Sequence, residues 1–94
     1  LITLEDCCVC NKGEGKDFGK NGGIEVGGEL PVNTHGGLLS QAHIEGMLHV
    51  TEAVKQLRGN EVEPERQVKN AKTGIVSGHG GSLCMHATLI LGAL

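Results

Sequence analysis

The chain has 94 residues, eight basic and eleven acidic side chains for a formal charge of −3, sixteen glycines and a single aromatic ring, Phe18. Its charges are scattered with no basic stripe, which excludes nucleic acid as a partner. The longest apolar run, Ala87 to Leu94, is far short of the roughly 20 residues that span a bilayer, so no membrane partner is expected and the protein is read as soluble and cytoplasmic.

A chain of this size buries only about 60 to 65% of the surface it exposes when unfolded. Without large rings to fill it, the core must be thin. The glycines crowd between Gly13 and Gly37 and between Gly74 and Gly81, where their entropic cost points to tight loops.

The opening Leu1-Ile2-Thr3-Leu4-Glu5-Asp6 has no initiator Met and no leader pattern, and begins mid-element as a fragment would. Apolar positions 1, 2, 4, 7 and 8 fit a helix better than an alternating strand, so Leu1 to Cys10 is read as a helix end. Cys7 and Cys10 form a C-x-x-C that His35 or His49 would extend toward a zinc set, but a second regularly spaced ligand pair is missing. No metal site is expected, and with Cys8 and Cys84 these thiols read as reduced, partly buried small hydrophobes.

Asn11 to Gly28 holds seven glycines, three lysines and three acidic residues, the composition of an exposed loop. Glu29 to Asn33 is expected to extend as a strand, with Pro31 at an edge or strand start because it has no amide to donate. That strand would deliver Asn33 and His35 to its C-terminal end.

Gln41 to Arg58 reads as a helix. Ile44, Met47, Leu48, Thr51 and Val54 fall within an arc of about 120°, widened by Val50 and Leu57, with Glu45, His49, Glu52 and Gln56 opposite on the solvent face. Ser40 is the expected N-cap and Gly59-Asn60 the stop, with Lys55 and Arg58 near the negative end. His49 beside Glu45 is given no function.

Asn60 to Lys72, with Pro64 and six charged residues, reads as a solvated linker. Two strands follow, Thr73 to Ser77 and Leu83 to Leu91, joined by a glycine-rich turn and so antiparallel. His86 faces outward or toward a neighbouring layer. The order belongs to a layered α/β arrangement.

Two glycine-histidine segments carry the candidate chemistry: Asn33-Thr34-His35-Gly36-Gly37 leading to His43, and Ser77-Gly78-His79-Gly80-Gly81. Backbone amides of glycine loops suit stabilisation of a carbonyl oxyanion, the requirement of acyl chemistry. In the first turn of the expected helix, His43 would meet the positive end of the dipole, which favours a neutral ring. His79 is either an acid/base, since imidazole ordinarily titrates near neutrality, or a spacer in a tight turn.

These two segments resemble, in order, the C-terminal active-site loops of the thiolase family, above all the sterol-carrier-type and acetyl-CoA acetyltransferase-like members. The family's Asn-x-x-Gly-Gly segment and Gly-His-Pro motif match Asn33, Gly36, Gly37 and Ala42-His43-Ile44, with Ala42 and Ile44 in place of the Gly and Pro. Its Cys-x-Gly-Gly-Gly loop falls on Ser77 to Gly81 without the cysteine.

The resemblance implies the C-terminal part of a layered α/β/α thiolase domain with a small mixed sheet and one long helix. Residues 1–28 would be a helix end and Gly-rich loop, and 29–94 a strand-helix-strand-strand unit bearing both loops. It implies catalytic roles for His43 and His79, with Asn33, His35, Gly36, Gly37, Gly80 and Gly81 around a coenzyme A thioester substrate and no permanently bound cofactor.

The implied activity is thiolytic cleavage of β-ketoacyl-CoA or the reverse Claisen condensation. Its nucleophilic cysteine would come from an N-terminal half or partner subunit, so this chain alone is expected to be inactive. The implied assembly is a homo-oligomer, with an OB-fold and zinc-ribbon protein as a further partner. Two alternatives stand: a non-catalytic thiolase-fold interaction module, and a retro-aldolase acting on β-hydroxyacyl-CoA.

Overall fold

The computed structural model describes residues 2–82 and 84–94. These form two compact units, Leu1–Val32 and Asn33–Leu94.

In the first unit, helix α1 spans Ile2–Asp6 and α2 spans Gly15–Phe18. The helical reading of the first ten residues holds over this shorter span, and Leu1 lies outside the described residues. Helices this short are marginal alone, because a nucleus costs more than one turn returns. They are tied together by side chains: the Gly15 amide donates to Glu5 Oε1 at 3.0 Å, and Lys12 pairs with Asp6. Hydrogen bonds from the Gly13 and Gly15 amides hold the Glu5 carboxyl below its ordinary range.

Asn11 to Gly28 is mostly turns, as its glycines require. At Gly28 a side chain would run into the carbonyls of Gly22 and Gly23, so the close backbone approach there admits glycine alone.

The expected strand at Glu29 to Asn33 does not form. The Leu30 and Val32 amides are taken at 2.9 Å by the carbonyls of Gly23 and Ile24, and Pro31 has none to offer, so this segment folds back on its own loop.

In the second unit a 3-10 turn at Leu38–Ser40 precedes helix α3, Met47–Arg58, and strands β1, Thr73–Gly80, and β2, Met85–Gly92. The helix expected from Gln41 therefore begins six residues later. Ser40 does not cap it, because its hydroxyl donates back to the Gly36 carbonyl at 3.0 Å. Glu45 and Gly46 then take left-handed φ of 48° and 84°, which breaks a helical path before Met47. The stop is as expected: Gly59, at φ 80°, donates its amide to the Lys55 carbonyl.

β1 and β2 pair antiparallel from Thr73↔Gly92 to Gly80↔Met85, so the expected hairpin forms. Its first strand runs three residues further than read, placing Gly78, His79 and Gly80 in β1 rather than in a loop. Leu83, read as the start of the second strand, lies outside the described residues.

Helix α3 covers one face of the hairpin. Ala53 Cβ and Leu57 Cδ1 lie 3.8 Å from where a Gly74 side chain would begin, an ordinary contact distance that places the helix over this face. The alternation of a strand puts Thr73, Ile75, Ser77 and His79 on the opposite face. The result is a small α/β unit with one long helix and a two-stranded sheet.

Its core is thin, as composition requires. Among the described residues no hydrophobic side chain is fully buried, and the buried polar ones are His35, Glu52 and Gln56, at 8, 8 and 7% exposure. The amphipathic reading of α3 is thus overturned at its polar face, while Met47 of the expected apolar stripe is 59% exposed. No helix among the described residues is long and apolar enough to cross a membrane.

Candidate active-site loops

The first loop is shaped by left-handed backbone. Asn33, Gly36 and Gly37 have φ of 51°, 85° and 76°, and the Gly36 amide closes a turn on the Asn33 carbonyl at 2.8 Å. Glycine meets that conformation without strain, and at Gly36 any side chain would also strike Ser40.

Two consecutive residues of this loop are fastened to α3. The Thr34 hydroxyl donates to Glu52 Oε1 at 2.6 Å, and Gln56 Nε2 reaches Thr34 Oγ1 at 3.1 Å. His35 Nε2 lies 2.9 Å from His49 Nδ1, the rings meeting edge to face at 89°. His49, Glu52 and Gln56 are spaced i, i+3, i+7 and so share one helix face.

Arg66, from the segment read as a solvated linker, closes the cluster. It donates to Glu52 Oε1 at 2.6 Å and to the Thr34 carbonyl at 3.4 Å. Gln56 Oε1 accepts the Val68 amide at 2.9 Å, which holds the linker to the helix. Burial pushes the Glu52 carboxyl up, but hydrogen bonds from Thr34, Gln56 and Arg66 and the Arg66 charge outweigh it, so its pKa is lowered.

Burial, then the neighbouring His49 and Arg66, lowers the His35 pKa, with Glu52 opposing. His35 Nδ1 is buried with no hydrogen-bond partner among the described residues. The tautomer that strands no buried N–H has His35 donating from Nε2 to His49 Nδ1, an assignment made from the network.

The expected site residues fall as follows. His43 is exposed in the loop before α3 and makes no side-chain hydrogen bond among the described residues. It is not in a first helical turn, so the dipole argument for a neutral ring does not apply; the left-handed pair Glu45 and Gly46 separates it from the helix. Asn33 and Gly36 are exposed and Gly37 half-buried. His35 is buried against α3 instead of sitting in an open loop.

His79 is exposed in β1 directly across from His86, their ring centroids 6.1 Å apart on the hairpin face away from α3. Gly80 ends β1 and Gly81, at φ 56°, opens the turn. The sequence reading missed Thr34, His49, Glu52, Gln56 and Arg66. The available signal was the i, i+3, i+7 spacing of three hydrogen-bonding side chains on one helix face.

Cys7, Cys8, Cys10 and Cys84 are free thiols. Burial, with Glu5 and Glu14 nearby, pushes the Cys10 thiol pKa up, away from nucleophilic character. Among the described residues no three His, Cys, Asp or Glu side chains gather as a metal site needs.

A family described as thiolase C-terminal domain-like matches residues 1–93. The chain is 52% identical to a 17-hydroxy-3-oxo-4-pregnene-20-carboxyl-CoA lyase of Mycobacterium tuberculosis, over 80% of the chain and 20% of that protein. It is 46% identical to a steroid side-chain-cleaving aldolase of Thermomonospora curvata, with the same coverage, 80% and 20%. With an acetyl-CoA acetyltransferase of Methanothermobacter thermautotrophicus it shares 34% identity over 92% of the chain and 24% of that protein. The chain thus spans a fifth to a quarter of the length of these relatives, from 20% to 24%. Through this match over nearly its whole length, the chain belongs to the thiolase family as a C-terminal domain.

Proposed function

We propose that this chain supplies the C-terminal active-site loops of a thiolase-fold enzyme that cleaves a carbon-carbon bond in a coenzyme A thioester by a retro-aldol step. The observation that carries this reading is Ser77, which stands where the thiolase loop holds its acid/base cysteine. The 52% and 46% identities to a CoA lyase and an aldolase support the same direction.

A retro-aldol cleavage needs no loop thiol. A base takes the proton of the β-hydroxyl, the Cα–Cβ bond breaks, and its electron pair moves to the thioester as an enolate oxyanion. Protonation at Cα then releases a shortened acyl-CoA and a ketone or aldehyde. The demands are one base, one proton donor and hydrogen bonds to the oxyanion.

His43 and His79 are the candidates for proton transfer and oxyanion contact, with the backbones of Gly36, Gly37, Gly80 and Gly81 shaping the pocket and Asn33 and His35 beside it. A β-hydroxyacyl-CoA is the substrate class, and a 17-hydroxy steroid 20-carboxyl-CoA is the first to test. The remaining thiolase fold, from the same polypeptide or a partner subunit, completes the site in a homo-oligomer. An OB-fold and zinc-ribbon protein is the further partner proposed.

The second reading is acyl transfer, favoured by the 34% identity to an acetyl-CoA acetyltransferase. The two separate in one experiment on the full-length protein. Incubation with a β-hydroxyacyl-CoA is expected to release the carbonyl fragment and a shortened thioester. Turnover confined to β-ketoacyl-CoA with free coenzyme A would replace this reading by thiolysis.

A further inference from the structure

The backbone of Asn33–Gly37 is not held by regular structure. Three of its residues are left-handed; Gly36 and Gly37 adopt this freely, but at Asn33 it persists only where surroundings impose it. The loop lies beside an open 3-10 turn, and its neighbours Asn33 and Gly36 are exposed. A turn from the Gly36 amide to the Asn33 carbonyl and the Ser40 hydroxyl close it locally, and what ties it to α3 is side-chain chemistry at the two residues between Asn33 and Gly36.

Thr34 is held by Glu52 and Gln56, and His35 by His49. These contacts are 14 to 22 residues apart in sequence, so they constrain the loop from outside rather than through local turn geometry. Glu52 is itself fixed by Arg66 at 2.6 Å. The His49 contact is the only side-chain hydrogen bond His35 makes among the described residues, since its Nδ1 is unpartnered. Removing His49 therefore strands both nitrogens of a buried ring, and the cheapest relief is for the loop to leave α3.

We propose that His49 and Glu52 are positioning residues: through His35 and Thr34 they set the path of Asn33–Gly37 and so aim the Gly37 amide, which the Gly36–Asn33 turn leaves unused, at the substrate oxyanion. The inference rests on the reading above that this loop serves the thioester. Neither residue touches substrate. Each acts through its loop partner, and the two anchors bracket the Thr34–His35 peptide from adjacent turns of one helix.

The test compares His49→Leu, His49→Asn and Thr34→Val in the full-length protein. It reads kcat, KM and amide hydrogen exchange across residues 33–37. His49→Leu and Thr34→Val are expected to lower kcat about tenfold or more with KM within about twofold, because misplacing the oxyanion donors costs rate more than affinity. Exchange at the Gly36 amide, which closes the turn on the Asn33 carbonyl, should quicken by about tenfold as the loop opens.

His49→Asn should recover most of both losses, its Oδ1 replacing the imidazole nitrogen as acceptor. The inference is overturned if loop exchange is unchanged in His49→Leu and Thr34→Val, or if His49→Asn is as impaired as His49→Leu. It is also overturned if the loss of kcat only tracks a loss of folded protein by circular dichroism. A wild-type protein that cleaves neither thioester would remove the proposed reaction, and loop exchange alone would then decide whether these residues hold the loop.

Discussion

Arg66 reaches the carboxylate of Glu52 at 2.6 Å, joining a charged segment that contains Pro64 to the most buried face of the helix. The same guanidinium pairs with Glu63 at 2.9 Å, but the side chain of Glu63 is 71% exposed where that of Glu52 is 9%. One cation thus makes a buried and a solvated ion pair, and the two should differ in worth.

Arg66→Met leaves Glu52 desolvated without its cation and is expected to destabilise by about 2 to 3 kcal/mol, somewhat below the cost of breaking a fully buried pair. Glu63→Ala should cost far less than Arg66→Met, as exposed pairs contribute little. Urea unfolding of the full-length protein measures both, and equal effects would contradict the burial of Glu52.

Acid should weaken the loop in two stages. His35 has a pKa lowered from 6.5, so the unfolded state takes up its proton first and stability is lost as pH falls from about 6.5 toward the folded value. Glu52, lowered from 4.5, adds a second loss below about pH 4.5 by the same sign. His35→Asn is expected to flatten the first stage in a pH series of thermal melts, and a first stage that survives this change would assign it to another group.

Gly36→Ala combines a left-handed φ of 85° with a clash against Ser40. It is expected to cost about 1 to 3 kcal/mol, the range for a non-glycine residue held in a strained conformation. A crystal structure of the variant should show the 3-10 turn at Leu38–Ser40 displaced. An unshifted turn with wild-type stability would mean that the loop relaxes more freely than its contacts imply.

His43→Ala should lower kcat on a β-hydroxyacyl-CoA by about 100-fold or more, the usual contribution of a proton-transfer group. His79→Ala is expected to do the same, while His79→Gln, which still donates a hydrogen bond but moves no proton, separates the two roles. Steady-state turnover of purified full-length variants reports this. Wild-type rates for either alanine variant would strike that histidine from the site.

Much of the scaffold was legible from local signals. Gly59 stops α3 because only a left-handed residue satisfies its last carbonyls, and β1 and β2 pair because a short turn leaves antiparallel contact as the near neighbour. The start of α3 was not legible. Ser40 is an ordinary N-cap residue, yet its hydroxyl is already engaged by Gly36, and the left-handed Glu45 carries no distinctive residue type.

Family membership, the glycine-rich turns of Asn11 to Gly28 and the thinness of the core were determined by the residues themselves, since motifs and composition are properties of the chain before it folds. Which face of α3 is buried was decided only in three dimensions. Hydropathy assigns His49, Glu52 and Gln56 to water. A loop at Thr34–His35 and a guanidinium at Arg66 satisfy those polar groups away from it, and no periodicity records partners that far apart.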